Sequence, residues 1–131
     1  MDATILLVDD HDRVRESFRD WLHAMLPGCQ FLEAKDGEEG VDLASAHRPD
    51  VVLMDIRIGE ENGIDAARRI KAVLPETHVV MLTIHDARDY REDAKNAGAA
   101  AYVLKQEAHS ALLPVLKRLL MPSEEDTSKV V

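Results

Sequence analysis

Cysteine is nearly absent from this 131-residue chain: Cys29 stands alone. One thiol excludes an internal disulfide and a thiolate metal cage, and it suits a reducing compartment. A small, buried or half-exposed residue is its expected role. Positive charge is also scarce, with 16 Lys and Arg against 25 Asp and Glu and a formal net charge of −9. That balance argues against a nucleic-acid surface, which needs a basic patch. No stretch approaches the roughly 20 apolar residues of a membrane span, and the amino end lacks a charged segment followed by an apolar core. A cytoplasmic location without membrane contact is therefore expected. The phosphate-cradling pattern G-x-x-x-x-G-K-[ST] does not occur, so a P-loop nucleotidase is excluded.

What the chain does contain is four short apolar runs that each end in a residue able to handle a phosphoryl group and its metal. Ile5-Leu6-Leu7-Val8 leads into Asp9-Asp10, Val51-Val52-Leu53-Met54 into Asp55, Val79-Val80-Met81-Leu82 into Thr83, and Tyr102-Val103-Leu104 into Lys105. A fifth run, Gln30-Phe31-Leu32-Glu33-Ala34, reads as one more strand. Between the runs lie helical patterns. Val14, Phe18, Trp21, Leu22 and Met25 share one helix face before Pro27-Gly28, and Ile64, Ala67, Ile70, Lys71 and Leu74 form a narrower stripe before Pro75. Strands apolar on both sides, alternating with helices, indicate a parallel sheet covered on both faces. The expected fold is α/β, a five-stranded parallel sheet of order 2-1-3-4-5 in a flavodoxin-like (βα)5 arrangement. Residues 1–121 would form this one domain and 122–131 a polar tail or linker stub.

In that order the first, third, fourth and fifth strands are neighbours about 4.8 Å apart. Asp10, Asp55, Thr83 and Lys105 would then sit side by side at the carboxyl edge, where open α/β sheets bind ligands. Each residue alone has a plainer explanation. Aspartates after strands often cap helices, a threonine can simply end a strand, and a lysine can be solvated. Four such endings on four strands make a set that the plainer explanations do not cover.

An oxygen-rich site of this kind suits Mg²⁺. Thr83 and Lys105 suit phosphoryl oxygens, and a carboxylate can serve as the nucleophile. Asp9 and Asp10 repel each other and are best cast as the metal seat, a cation helping to keep both ionised. Asp55, alone on the central strand, is the better acceptor.

These residues resemble the receiver domains of two-component response regulators. The resemblance spans Thr4 to about Leu120 and rests on Leu7-Val8-Asp9-Asp10-His11, on Leu53-Met54-Asp55-Ile56 with Gly63 eight residues beyond Asp55, on Leu82-Thr83, and on Ala97-Gly98-Ala99 leading to Tyr102-Val103-Leu104-Lys105. The run from Leu82 to Lys105 looks most like receivers of the LuxR/NarL/FixJ type, which precede a helix-turn-helix DNA-binding domain. The resemblance implies that Asp55 takes a phosphoryl group from a sensor histidine kinase or phosphotransfer protein. It implies that Asp9, Asp10, Asp55 and the backbone carbonyl of Arg57 hold Mg²⁺, and that Thr83 and Lys105 contact the phosphoryl oxygens. It also implies a switch in which Thr83 moves, Tyr102 turns inward, and the surface of the fourth helix, fifth strand and fifth helix changes to control an output partner or domain. Transcription regulation and a phosphorylation-dependent homodimer follow as expectations. Direct nucleic-acid binding by this chain does not.

Several positions depart from the family pattern. Ile58-Gly59 replaces the usual Met-Pro pair and is expected to loosen the loop before Gly63. Gln106 replaces the usual proline after the lysine, which leaves open whether the Lys105-Gln106 bond is cis, a costly state without proline. Pro114 predicts a late start or a kink in the last helix. The fourth helical segment, 87–97, offers only Ala87, Tyr90, Ala94 and Ala97 inward and should shift readily. Arg57 and His85, each two residues beyond a site residue, are expected to set the lifetime of the phosphorylated state. A turnover phosphatase with an aspartyl intermediate is the rival function. That class needs an acidic residue where Arg57 stands, and usually a cap domain. A structural module with a vestigial site is the third reading.

Overall fold

A computed structural model describes residues 2–121, so the tail expected at 122–131 lies outside the described residues. Five strands form the main sheet: β1 (Thr4–Val8), β2 (Gln30–Ala34), β3 (Val51–Met54), β4 (His78–Thr83) and β5 (Ala101–Leu104). All neighbours pair in parallel in the order β2-β1-β3-β4-β5, which is the expected topology. Five helices alternate with them: α1 (Asp12–Met25), α2 (Gly37–His47), α3 (Gly63–Val73), α4 (Arg88–Asn96) and α5 (Ala108–Leu120).

The sheet divides the core in two. Leu6, Val52, Met54, Val79 and Met81 point to the face covered by α2, α3 and α4, whereas Ile5, Leu7, Val51, Leu53 and Val80 point to the face covered by α1 and α5. Alternate strand residues face opposite sides, so strands buried on both sides must be apolar throughout. β3 meets that demand throughout, β1 from Ile5 and β4 from Val79 to Leu82, and these are the three interior strands of the sheet.

The helices bury unequal areas. α3 buries Gly63, Ile64, Ala66, Ala67 and Ile70, whereas α4 buries Ala94 alone. The expected inward set of the fourth segment is only partly realised: Ala94 and Ala97 are buried, Tyr90 is half-buried and Ala87 is exposed. On α1, Leu22 is fully buried and Phe18 and Trp21 pack against the core, but Val14 and Met25 are exposed, so the apolar face is shorter than its sequence stripe. Cys29 is buried, as expected.

The last helix starts earlier than expected. A 3₁₀ turn at Lys105–Glu107 runs straight into α5, which begins at Ala108, well before Pro114. The late start is thus corrected. Pro114 lies inside the helix, where it has no amide to donate to the Ser110 carbonyl and its ring crowds that carbonyl. No peptide bond among the described residues is cis, so Lys105-Gln106 is trans.

Candidate active site

β1, β3 and β5 carry Asp9, Asp55 and Lys105 to the carboxyl edge because each apolar run is anchored in the core and the polar residue is the first one past it, while Thr83 is the last residue of β4. Asp9 follows β1 and Asp55 follows β3, and both are buried, at 6% and 5% exposure. Lys105, directly after β5, reaches back to both: its Nζ donates to Asp9 Oδ2 at 2.6 Å and to Asp55 Oδ2 at 2.7 Å. The remaining oxygens are also engaged, Asp55 Oδ1 by the Ile56 amide at 2.7 Å and Asp9 Oδ1 by the His11 amide at 2.8 Å. Burial alone would lower the Lys105 pKa, but the hydrogen bonds to Asp55 and Asp9 outweigh it and hold the ammonium above its ordinary value. Two buried carboxylates beside one ammonium remain net negative. Such a pocket favours a cation.

Asp10 sits on the rim. Its Oδ2 accepts from the Gly59 amide at 2.9 Å, and its Oδ1 lies 3.2 Å from His11 Nδ1. The ring of His11 also stands 3.2 Å from Asp9 Oδ1. Donor atoms of Asp9, His11 and Asp55 all lie within 4.8 Å of one another, a group that could hold a metal ion. The hard carboxylate oxygens among them fit a hard divalent cation such as Mg²⁺.

Two short strands, Arg57–Ile58 and Glu61–Asn62, form an antiparallel ribbon beside the pocket that the sequence reading did not anticipate. Ile58-Gly59 thus lies in a paired ribbon and not in an open loop. Ile58 is buried at 2% exposure, Gly59 adopts φ +62° at the ribbon turn, and its amide is held by Asp10. Arg57 begins the ribbon and its side chain is exposed. Gly63 closes the segment. Its amide donates to the Ile56 carbonyl at 2.6 Å, and a Cβ there would stand 1.7 Å from the Asp55 carbonyl oxygen. This close approach is the physical reason for glycine eight residues past Asp55.

Thr83 ends β4 fully buried, and its Oγ1 accepts from the His85 amide at 3.3 Å. The carbonyl of that same His85 accepts from the Tyr102 hydroxyl at 2.6 Å. Thr83, His85 and Tyr102 thus form one chain of contacts leading from the pocket to α4. Arg91 of α4 caps it, with its guanidinium 4.5 Å from the Tyr102 ring centroid and its Nε donating to Asp86 at 2.6 Å. Burial raises the Tyr102 phenol pKa to about 12, against a smaller opposing effect of Arg91. The His85 ring stands edge-on to Tyr90, centroids 5.8 Å apart.

Asp9, Asp55 and Lys105 are therefore in direct contact, with Asp10 on the rim and Thr83 at the adjacent strand end. Sequence reasoning missed Arg15 and Glu33. Arg15 of α1 donates through Nη1 to the Asp9 carbonyl at 2.7 Å and through Nε to Glu33 of β2 at 2.9 Å. One signal was available: Glu33, a charge inside a short strand, needs a cation beside it.

The chain is similar to known proteins in sequence and in fold. The profile of the response regulator receiver domain matches residues 5–117. The uncharacterized transcriptional regulatory protein YxjL of Bacillus subtilis is 36% identical over 113 residues, covering 86% of this chain and 52% of the relative. A LuxR-family two-component response regulator from Aurantimonas superposes with a TM-score of 0.85 at 32% identity, covering 92% of this chain and 86% of that one. The receiver domain of the NarL regulator from Mycobacterium tuberculosis gives 0.77 at 28% identity, covering 94% and 97%. This chain spans about half the length of the first curated relatives it matches. No helix among the described residues is long and apolar enough to cross a membrane. On its fold, its strand-end residues and these matches, the chain belongs to the response regulator receiver domain family, a family of signalling proteins.

Proposed function

We propose that the chain accepts a phosphoryl group on Asp55 from a sensor histidine kinase or a phosphotransfer protein. The observation that carries this reading is the buried contact of Lys105 with both Asp9 and Asp55 at the sheet edge. One Asp55 carboxylate oxygen attacks phosphorus, the bond from phosphorus to the donor imidazole nitrogen breaks, and the electron pair leaves with the imidazole, which takes up a proton. The product is an acyl phosphate. Asp9, Asp10, Asp55 and the Arg57 carbonyl would hold Mg²⁺, whose charge would offset that of the phosphoryl oxygens. Lys105 keeps its ammonium beside Asp55 and can follow those oxygens. Thr83 offers its hydroxyl from the next strand end.

Release of the His85 amide by Thr83 would disturb the Tyr102 contact and with it the α4-β5-α5 surface, where α4 is weakly anchored. We take that surface as the output face. It acts on a partner or a second domain, in a cytoplasmic transcription regulator that dimerises when phosphorylated. Arg57 and His85 adjust how long the acyl phosphate lasts, and unchanged dephosphorylation after replacing both with alanine would remove them from that role.

Mass spectrometry after incubation with acetyl phosphate and Mg²⁺ tests the central step. One phosphoryl adduct is expected in the wild type and none in Asp55→Asn. Continuous phosphate release would favour a turnover phosphatase, and no adduct in the wild type would sink the reading.

A further inference from the structure

We propose that Arg15 is a positioning residue for the metal seat, holding the Asp9-Asp10 peptide in the orientation that aims both carboxylates at the pocket. The inference rests on reading that pocket as a Mg²⁺ site. Its geometric basis is a side chain that is 11% exposed, with its guanidinium engaged on three sides: Nη1 on the Asp9 carbonyl at 2.7 Å, Nε on Glu33 at 2.9 Å and Nη2 on Asp12 at 3.0 Å.

Asp9 stands where the sheet ladder ends. Its amide still pairs with the Ala34 carbonyl of β2 at 3.1 Å. Its carbonyl accepts from Arg15, which takes the place of a ladder partner. The peptide joining Asp9 to Asp10 is thereby pinned from the helix side. Only a planar fork can serve the Asp9 carbonyl, Glu33 and Asp12 together, because its donors diverge from a rigid centre. Glu33 aims the fork, and Arg19 helps to fix Glu33 from the next turn of α1. Asp10, tied otherwise to the Gly59 amide and the His11 ring, depends on that peptide for its direction.

Positioning and simple charge predict opposite signs. Removing a cation close to an acidic metal seat should tighten cation binding by electrostatics alone. If Arg15 positions the seat, its removal should weaken binding, as loss of groups that orient metal ligands does by about 10-fold or more. Titration of the ¹⁵N-labelled chain with Mg²⁺, followed by the amide shifts of Ile56 and Gly59, reads the affinity and reports folding in the same spectra.

Both Arg15→Ala and Arg15→Lys are expected to weaken Mg²⁺ binding about 10-fold, the lysine failing because it keeps the charge without the fork. Arg19→Ala breaks one arm on Glu33 but does not touch Asp9, and it should stay within about twofold of the wild type. Unchanged or tighter binding in folded Arg15→Lys, or an equal loss in Arg19→Ala, would overturn the positioning role. A wild type whose shifts ignore Mg²⁺ would instead overturn the underlying metal-site reading.

Discussion

The two flanks of the pocket are built on different plans. On the β1-β2-β3 side, Asp9 and Asp55 each follow a run of four buried residues, and Gly63 lets the chain after β3 pack directly on the Asp55 carbonyl. The α1-β2 seam adds an ion cluster of Arg15, Arg19 and Glu33. On the β4-α4-β5 side, Thr83 is buried but its contacts run outward through the backbone of His85 to a half-buried Tyr102 and an exposed Arg91. The first flank has little room to move. The second is joined by a few hydrogen bonds and two ring contacts, Arg91 on Tyr102 and His85 on Tyr90, each worth about 1 kcal/mol, so small changes at Thr83 can shift it. A site that must hold reacting groups still and yet report the outcome needs both plans at once.

The largest test of the contrast is Gly63→Ala. The added methyl would collide with backbone and not with a movable side chain, so a loss of about 3 kcal/mol is expected in urea unfolding. A loss under about 1 kcal/mol would mean that the Asp55 segment is softer than its packing implies.

Next comes the difference between α3 and α4. Ile70→Ala, at a fully buried position of α3, should cost about 3 kcal/mol, whereas Ala94→Gly in α4 should cost about 1 kcal/mol. Native-state hydrogen exchange should find the amides of α4 opening at lower free energy than those of α3. Equal opening energies would break the comparison.

The smallest effects are in pH dependence, and the two flanks should respond at opposite ends of the scale. Burial raises the Glu33 pKa, but hydrogen bonds from Arg15 and then Arg19 more than offset it, so the carboxyl lies below its ordinary 4.5. Its contribution is therefore complete above pH 4.5 and is lost as pH falls through the lowered value. Glu33→Gln should flatten the acid limb of a stability profile. Tyr102 runs the other way. With the folded phenol at about 12 against 10.0, its contribution is complete below pH 10.0 and is lost as pH rises toward 12. Tyr102→Phe should remove that alkaline slope, at a cost of about 1 kcal/mol at neutral pH for the bond to the His85 carbonyl.

The strand ends were legible because runs such as Val51–Met54 are apolar at every position, and only a parallel sheet covered on both faces buries such strands. Gly63 was legible as a motif, but its reason, the distance to the Asp55 carbonyl, was not. The ribbon at Arg57–Ile58 and Glu61–Asn62 escaped notice because four residues carry no measurable period. The exposure of Val14 and Met25 escaped notice because a stripe says which residues share a face, while the length of the underlying sheet decides how much of that face is covered.

By itself, then, the sequence determined the order of strands and helices, the residue at each strand end and the family to which those residues point. Those properties are written in local hydrophobic period and in residue type. The tertiary structure alone decided that Lys105 bridges Asp9 and Asp55, that Asp10 is tied to the Gly59 amide, that Arg15 holds the Asp9 carbonyl, and that the backbone amide and carbonyl of His85 link Thr83 to Tyr102. Each of these contacts joins groups brought together by the crossovers and the register of the sheet. Hydrogen bonds act over about 3 Å, a distance that no spacing along the chain encodes.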